Sequence, residues 1–141
     1  NASKKDLEDK AFMMKAVQID GRCLQFSGPG IRAARSIVVE AVRQNGVALK
    51  FARDSLREDY ALALEAVKQN GNALEFAINP TPEVVDEAVA QNPSAFFFAP
   101  DAIRSDKGFV LKHVRRSGFI LRYAGEELRS DFDFLSQAVR I

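Results

Sequence analysis

The sequence has little of what metal sites, disulfide frameworks and polyanion-binding surfaces require. Its 141 residues include one cysteine and one histidine, which excludes an internal disulfide, a cysteine-rich zinc site and any two-histidine metal site. Twenty basic residues against nineteen acidic ones leave a net charge near +1, so the chain as a whole has no strong attraction to nucleic acid or anionic lipid. We therefore expect no metal and no cofactor.

Long apolar runs are missing too. No stretch approaches the roughly 18 apolar residues of a membrane span, and no charged start precedes an apolar segment as in a signal peptide. We expect a soluble chain without a membrane partner, and the sequence leaves open whether it acts in its own cell or is exported. The start, Asn1-Ala2-Ser3, has no methionine and is expected to be an expression remnant or a cut boundary.

A 25-residue repeat is the dominant feature of what is present. Segment 41–52 is AVRQNGVALKFA and segment 66–77 is AVKQNGNALEFA, identical at nine of twelve positions. The same frame recurs at intervals of 25, 25, 22, 25 and 25 residues, anchored by Val17, Val42, Val67, Val89, Val114 and Val139. The short interval arises because 77–81 lacks three residues that 52–59 contains. Repeats 1 to 6 are numbered by these valines.

The frame predicts a long helix in each repeat. Apolar residues stand one, four and five positions before the valine, which places them on one stripe of an α-helix. The N-cap candidates lie eight positions before the valine, at Asp9, Asp59, Thr81, Asp106 and Asp131. A glycine four positions after the valine is expected to end the helix in a left-handed conformation, at Gly21, Gly46, Gly71 and Gly118. Pro93 ends the fourth helix instead.

A second, shorter apolar period follows the glycine or proline that ends each long helix, and it predicts a helix of about two turns. Each repeat is therefore expected to be a helical hairpin. One hairpin cannot bury its apolar stripe alone, and stability must come from stacked neighbours. The expected fold is all-α, an α-solenoid of about five to six hairpins in a single monomeric domain over 1–141. The last repeat is incomplete, either as a C-terminal cap or through truncation of a longer array.

Positions that are equivalent in successive repeats, called columns here, carry a family resemblance. The pattern LRxD, then an Ala-Val helix, then QNG and ALxFA, present as 56–59 followed by 66–77, resembles the tandem repeats of the domain of unknown function 4116 family. The resemblance covers nearly the whole chain, although repeat 1 lacks LRxD and repeat 4 is shortened. It implies a helical repeat region of bacterial and some protist proteins, including effector-like proteins of intracellular bacteria, and it supplies no catalytic residues.

Residues that depart from their column are the candidates for function. Phe97 stands where the other repeats have Gln25, Lys50, Glu75 and Arg122, so it is either an exposed anchor for a partner or a side chain buried by rotation at Pro93. His113 replaces an alanine and is either a core or groove-edge substitution or a polar ligand contact. Cys23 matches a column of small residues and is expected in the core. One column holds an arginine, which is expected either to pair with a carboxylate or to donate to backbone carbonyls at the hairpin junction. Its members are Arg32, Arg57, Arg104 and Arg129.

Charge is segregated along the chain. No basic residue lies between Lys68 and Arg104, whereas 107–122 is basic. Adjacent acidic and basic layers either neutralise each other or form a bipolar groove that orients a charged protein partner.

The predicted function is a non-catalytic scaffold for protein–protein interaction, because neither a glycine-rich phosphate loop nor a pair of catalytic carboxylates is present. The alternative is a nucleic-acid-binding repeat that uses the basic fifth repeat. The expected partner-binding residues are Phe97, Lys112, His113, Arg115, Arg116 and Arg122.

Overall fold

The computed structural model describes residues 9–140, apart from the side chains of 132 and 138–140, and every regular element in that range is helical. Each repeat begins with a long α-helix. The six long helices, 1 to 6, are Lys10–Ile19, Arg35–Gln44, Tyr60–Gln69, Pro82–Gln91, Lys107–Val114 and Phe132–Arg140. No helix within 9–140 is long and apolar enough to cross a membrane.

The predicted cap residues begin these helices. The side chain of Asp59, for example, accepts a hydrogen bond from the amide of Leu62 at 2.9 Å, which satisfies a free donor of the first turn. Equivalent bonds start helices 1, 4, 5 and 6 at Asp9, Thr81, Asp106 and Asp131. Helix 2 is the exception, since Ala34 occupies its cap position and offers no side-chain acceptor.

The second element of repeats 1 to 5 is a 3₁₀-helix, where the sequence predicted a helix of about two turns without specifying its type. The five 3₁₀-helices are Gly21–Phe26, Gly46–Phe51, Gly71–Phe76, Pro93–Phe98 and Gly118–Arg122. A polar residue before each one accepts a hydrogen bond from an amide two residues later, as Asn45 does from Val47 at 3.1 Å. The tighter i to i+3 winding lets six residues complete two turns.

A third element makes each repeat more than a hairpin. Four-residue α-helices, called short helices here, follow the 3₁₀-helices of repeats 1, 2, 4 and 5 as Pro29–Arg32, Asp54–Arg57, Asp101–Arg104 and Glu126–Arg129. Repeat 3, which is three residues shorter, has none and turns through Asn79, whose φ is 50°. The deletion seen in the sequence therefore removes one short helix and leaves the rest of the repeat intact.

Consecutive repeats pack side by side. Long helices 1 to 4 contact their neighbours in chain order, and consecutive 3₁₀-helices contact each other along a second row. The valine column forms the interior, with Val17, Val42 and Val67 fully buried and Val89 and Val114 at 3% and 9% exposure. This confirms the predicted interior position for these five valines; the side chain of the sixth, Val139, lies outside the described residues.

The predicted role of the glycines is wrong. All eight glycines lie in the described part of the chain, and none has a positive φ. Gly21, Gly46 and Gly71 are needed instead because each packs against the next long helix: a Cβ atom on Gly71 would lie 2.8 Å from the carbonyl oxygen of Ala88. Glycine is required here by close approach between repeats, and the helices end with an extended residue before it.

Candidate functional site

The side formed by the five 3₁₀-helices, called the 3₁₀ face here, carries the most exposed aromatic surface in the second half of the chain. Phe97 is 58% exposed, which decides between the exposed and the buried position that the sequence left open. Its ring contacts Phe98 and Tyr123 edge to face, with centroids 5.4 and 5.5 Å apart. Phe97 is therefore a fixed, exposed ring and not a core residue.

The cluster extends into repeat 5. Tyr123 packs edge to face on Phe119 at 5.4 Å, and the guanidinium of Arg122 lies 5.5 Å from the Phe119 ring centroid. Phe119 is 42% exposed. We call Phe97, Phe119, Arg122 and Tyr123 the aromatic cluster. It joins two residues that the sequence singled out, Phe97 and Arg122, with two that it did not.

Tyr123 was missed although a signal exists. Nine positions after the valine every repeat has an aromatic residue, namely Phe26, Phe51, Phe76, Phe98 and Tyr123. Such a column looks like core, but Phe26 is 62% exposed and the other four are only half-buried. The interior is filled two residues earlier, by Leu24, Leu49, Leu74 and Phe96, so the aromatic column lies at the edge of the core.

Lys112 and His113 lie elsewhere, where long helix 5 faces long helix 4. Asp86 of long helix 4 pairs with the Lys112 ammonium at 3.2 Å, and its other oxygen lies 2.5 Å from His113 Nε2. The acidic and basic layers thus neutralise each other at this contact, one of the two outcomes that the charge pattern left open.

His113 is a buried residue and not a surface contact. Only 3% of it is exposed, and its ring lies 4.6 Å from that of Phe109. Burial lowers the pKa of His113 below its ordinary value of 6.5, opposed by the nearby Asp86 carboxylate. The imidazole is inaccessible to a partner, which removes His113 from the expected binding surface.

Arg115 and Arg116 are exposed at the end of long helix 5, and in the described part of the chain neither lies over a ring of the aromatic cluster as Arg122 does. The arginine column behaves as predicted at three positions. Arg32 donates to the carbonyl oxygen of Ser27, Arg57 donates to that of Phe76, and Arg104 pairs with Asp101. These three arginines are structural at the repeat junctions.

The carboxylates with shifted pKa values serve as helix caps. Arg22 lowers the pKa of Asp20, the amide of Leu62 lowers that of Asp59, and the amide of Phe134 lowers that of Asp131. All three therefore stay ionised at neutral pH. Within 9–140, no three histidine, cysteine, aspartate or glutamate side chains form a group that could hold a metal ion.

The repeats match a known protein family. A family described as a domain of unknown function, DUF4116, matches at 35–79, 81–129 and 106–141, which together cover more than half of the chain. The chain belongs to this family. Each of the first two DUF4116 matches spans about two of the 25-residue repeats, so the family unit is a pair of them. Comparison with curated proteins and with solved structures gives no match.

Proposed function

We propose that this DUF4116 chain is a non-catalytic α-solenoid of five to six repeats that binds another protein through its 3₁₀ face. The observation that carries the proposal is the aromatic cluster. Large rings that remain exposed on a rigid helical framework are typical centres of binding energy, because they bury much area at a small loss of side-chain freedom.

The position of Phe97 supports a role beyond packing. The interior below it is already filled by Phe96, which is fully buried and stacked on Phe109 at 5.7 Å. Phe97 adds nothing to that core, and a polar residue occupies the same exposed position in four other repeats. An exposed phenylalanine raises the risk of aggregation, so its presence here favours a partner that covers it.

The charged groups support a scaffold over an enzyme. Asp20, Asp59 and Asp131 are engaged as caps, and the chain's single histidine is buried against Asp86. General acid–base chemistry needs such groups accessible and with pKa values near the working pH.

The proposal is tested by placing the photo-crosslinking amino acid benzoylphenylalanine at position 97 and, as a control, at Tyr60, an exposed aromatic outside the cluster (48%). In an extract of the source cells we expect a discrete protein adduct from position 97 and none from position 60. Phe97→Ala should reduce capture of that protein at least about tenfold, with an unchanged melting temperature.

Two outcomes would overturn the proposal. If Phe97→Ala lowers the melting temperature and leaves capture intact, Phe97 is a packing residue. If the adduct is removed by nuclease, and charge reversal at Arg115 and Arg116 abolishes it with a steep dependence on salt, the nucleic-acid alternative replaces the protein scaffold.

A further inference from the structure

A cavity of about 420 Å³ opens between repeats 1 and 2, at the end of the 3₁₀ face farthest from the aromatic cluster. Its charged lining residues are Arg32 from the first short helix and Lys50 and Arg53 from repeat 2. Phe51 forms an apolar wall. Three cations thus surround one cavity whose lining contains no carboxylate.

The cations are not neutralised within the part of the chain that the structure describes. The Arg32 guanidinium is held by carbonyl oxygens, donating from Nε to Ser27 at 3.1 Å and from Nη2 to Gln25 at 2.5 Å. These bonds orient its charge without cancelling it. Among residues 9–140, no carboxylate forms an ion pair with Arg32, Lys50 or Arg53, although seven other basic residues there pair with an aspartate or glutamate.

The sequence column explains the missing carboxylate. Arg57 and Arg104, which are equivalent to Arg32, each pair with an aspartate three residues upstream, Asp54 and Asp101. In repeat 1 this upstream position is Pro29, so Arg32 has no such partner. The absence of a carboxylate beside the column arginine is therefore specific to repeat 1 and is not required by the fold.

A cavity between repeats 4 and 5 overlaps this place in the repeat frame and is lined differently. It measures about 470 Å³ and is lined by Arg104 and Arg129 together with three carboxylates, those of Asp101, Glu126 and Glu127. Asp101 stands in the column of Pro29, whereas Glu126 stands in the column of Asp54, which lines a separate cavity adjoining Arg53. Of the two cavities that share this place, the one between repeats 1 and 2 has a lining without carboxylates.

Aromatic surface adjoins these cations. The Lys50 ammonium lies 5.0 Å from the Phe51 ring centroid and 5.8 Å from that of Phe76. The position equivalent to Lys50 in repeat 3 is the exposed Glu75, which repels anions. The charge in this column thus changes sign from repeat 2 to repeat 3. A nucleic-acid backbone, with a charge on every nucleotide, would meet Glu75, whereas a protein segment with locally clustered carboxylates would not.

We propose that this cavity binds the carboxylates of an acidic protein segment that also carries an apolar side chain for the Phe51 wall. The inference rests on the proposed function in that the occupant is a protein lying along the 3₁₀ face. Its acidic part would meet repeats 1 and 2, and its apolar part would meet the aromatic cluster of repeats 4 and 5. Arginine and lysine together suit this ligand, because both donate charge-assisted hydrogen bonds to carboxylate oxygens.

The test uses two fluorescein-labelled peptides, one with four glutamates around a phenylalanine and one with glutamines in place of the glutamates. Binding is measured by fluorescence anisotropy at low ionic strength. We expect the glutamate peptide to bind at least about tenfold more tightly than the glutamine peptide. The double variant Lys50→Glu, Arg53→Glu should abolish this preference, with its melting temperature as the check on folding.

A matched control changes the same charge elsewhere. Lys15 and Lys68 are exposed and lie outside the cavity, so Lys15→Glu, Lys68→Glu should leave peptide binding within about twofold of wild type. The inference is overturned if the control variant weakens binding as much as the cavity variant, if the two peptides bind equally, or if a single-stranded RNA binds more tightly than the glutamate peptide.

The outcomes separate this inference from the proposed function. If the peptide preference is absent while crosslinking at position 97 still captures a protein, the cavity assignment fails and the scaffold remains. If the peptide binds as expected but position 97 yields no protein adduct, the cavity stands as a carboxylate site and the aromatic cluster loses its assigned role.

Discussion

The junction between repeats 2 and 3 and the junction between repeats 4 and 5 occupy equivalent places in the frame but are held together differently. At the first, the 3₁₀-helix of repeat 2 lies directly on long helix 3, and Gln69 accepts a hydrogen bond from the amide of Gly46 at 2.5 Å. At the second, Pro93 replaces the glycine and Arg116 replaces the glutamine. Long helices 4 and 5 approach each other much less closely there.

The extra space at the 4–5 junction is filled by larger side chains. His113 occupies the alanine column and Phe109 stacks on Phe96, so an imidazole and a ring stand where other junctions have backbone contact. A backbone bond from the amide of Gly125 to the carbonyl of Arg104, at 2.8 Å, still links the two repeats. Several substitutions, among them Pro93 for glycine and Arg116 for glutamine, thus accompany a change from backbone packing to side-chain packing at this junction.

The largest expected effect comes from a charge in the tighter junction. Val67 is fully buried, so Val67→Asp should lower the free energy of unfolding by about 4 kcal/mol or more, since the carboxylate loses its hydration without gaining a partner. Val114→Asp, at the looser junction, should lower it by about half as much. Urea denaturation of both variants measures the difference, and equal losses would show that the two junctions are equally closed.

A methyl group added to a junction glycine should have the next largest effect. A Cβ on Gly46 would clash with the carbonyl oxygen of Ala66, so Gly46→Ala should cost about 3 kcal/mol through forced separation of the repeats. A Cβ on Gly118 meets no described atom within 4 Å, and Gly118→Ala should stay within about 0.5 kcal/mol of wild type. Similar losses in thermal unfolding for both variants would refute the close-approach explanation.

The smallest expected effect is a pH dependence confined to the 4–5 junction. Burial lowers the pKa of His113 below its ordinary value of 6.5 in the folded chain. At a pH below about 6.5, the unfolded chain therefore binds a proton at His113 more readily than the folded chain does. Stability should therefore fall as the pH is lowered through about 6.5, because burial disfavours the imidazolium more than the Asp86 carboxylate favours it.

His113→Gln isolates this effect, since it keeps a polar side chain and removes the titration. The difference in melting temperature between wild type and variant should shrink or reverse between about pH 7 and pH 5. A constant difference across that range would mean that His113 has the same pKa in the folded and unfolded chains.

Much of the fold follows from the periodicity. The helix stripe, the cap residues and the interior valines were all predictable, because each depends on residues within one repeat. The 3₁₀-helices and the short helices were not, since their four to six residues are too few for a hydrophobic period to distinguish helix types. The sequence left the exposure of Phe97 open, since Pro93 could have rotated its helix and buried the ring, and the contact of Phe97 with Tyr123 depends on how repeats 4 and 5 pack.

The sequence by itself determined the repeat length, the three-residue deletion of repeat 3 and the places where columns change character, because these are properties of the chain order. Only the tertiary structure decided why Gly46 must be glycine, why His113 is buried and why Arg32 donates to backbone carbonyls. Each of these depends on an atom of another repeat or on a turn that brings distant backbone carbonyls to one side chain. Proximity of that kind arises only when the repeats stack.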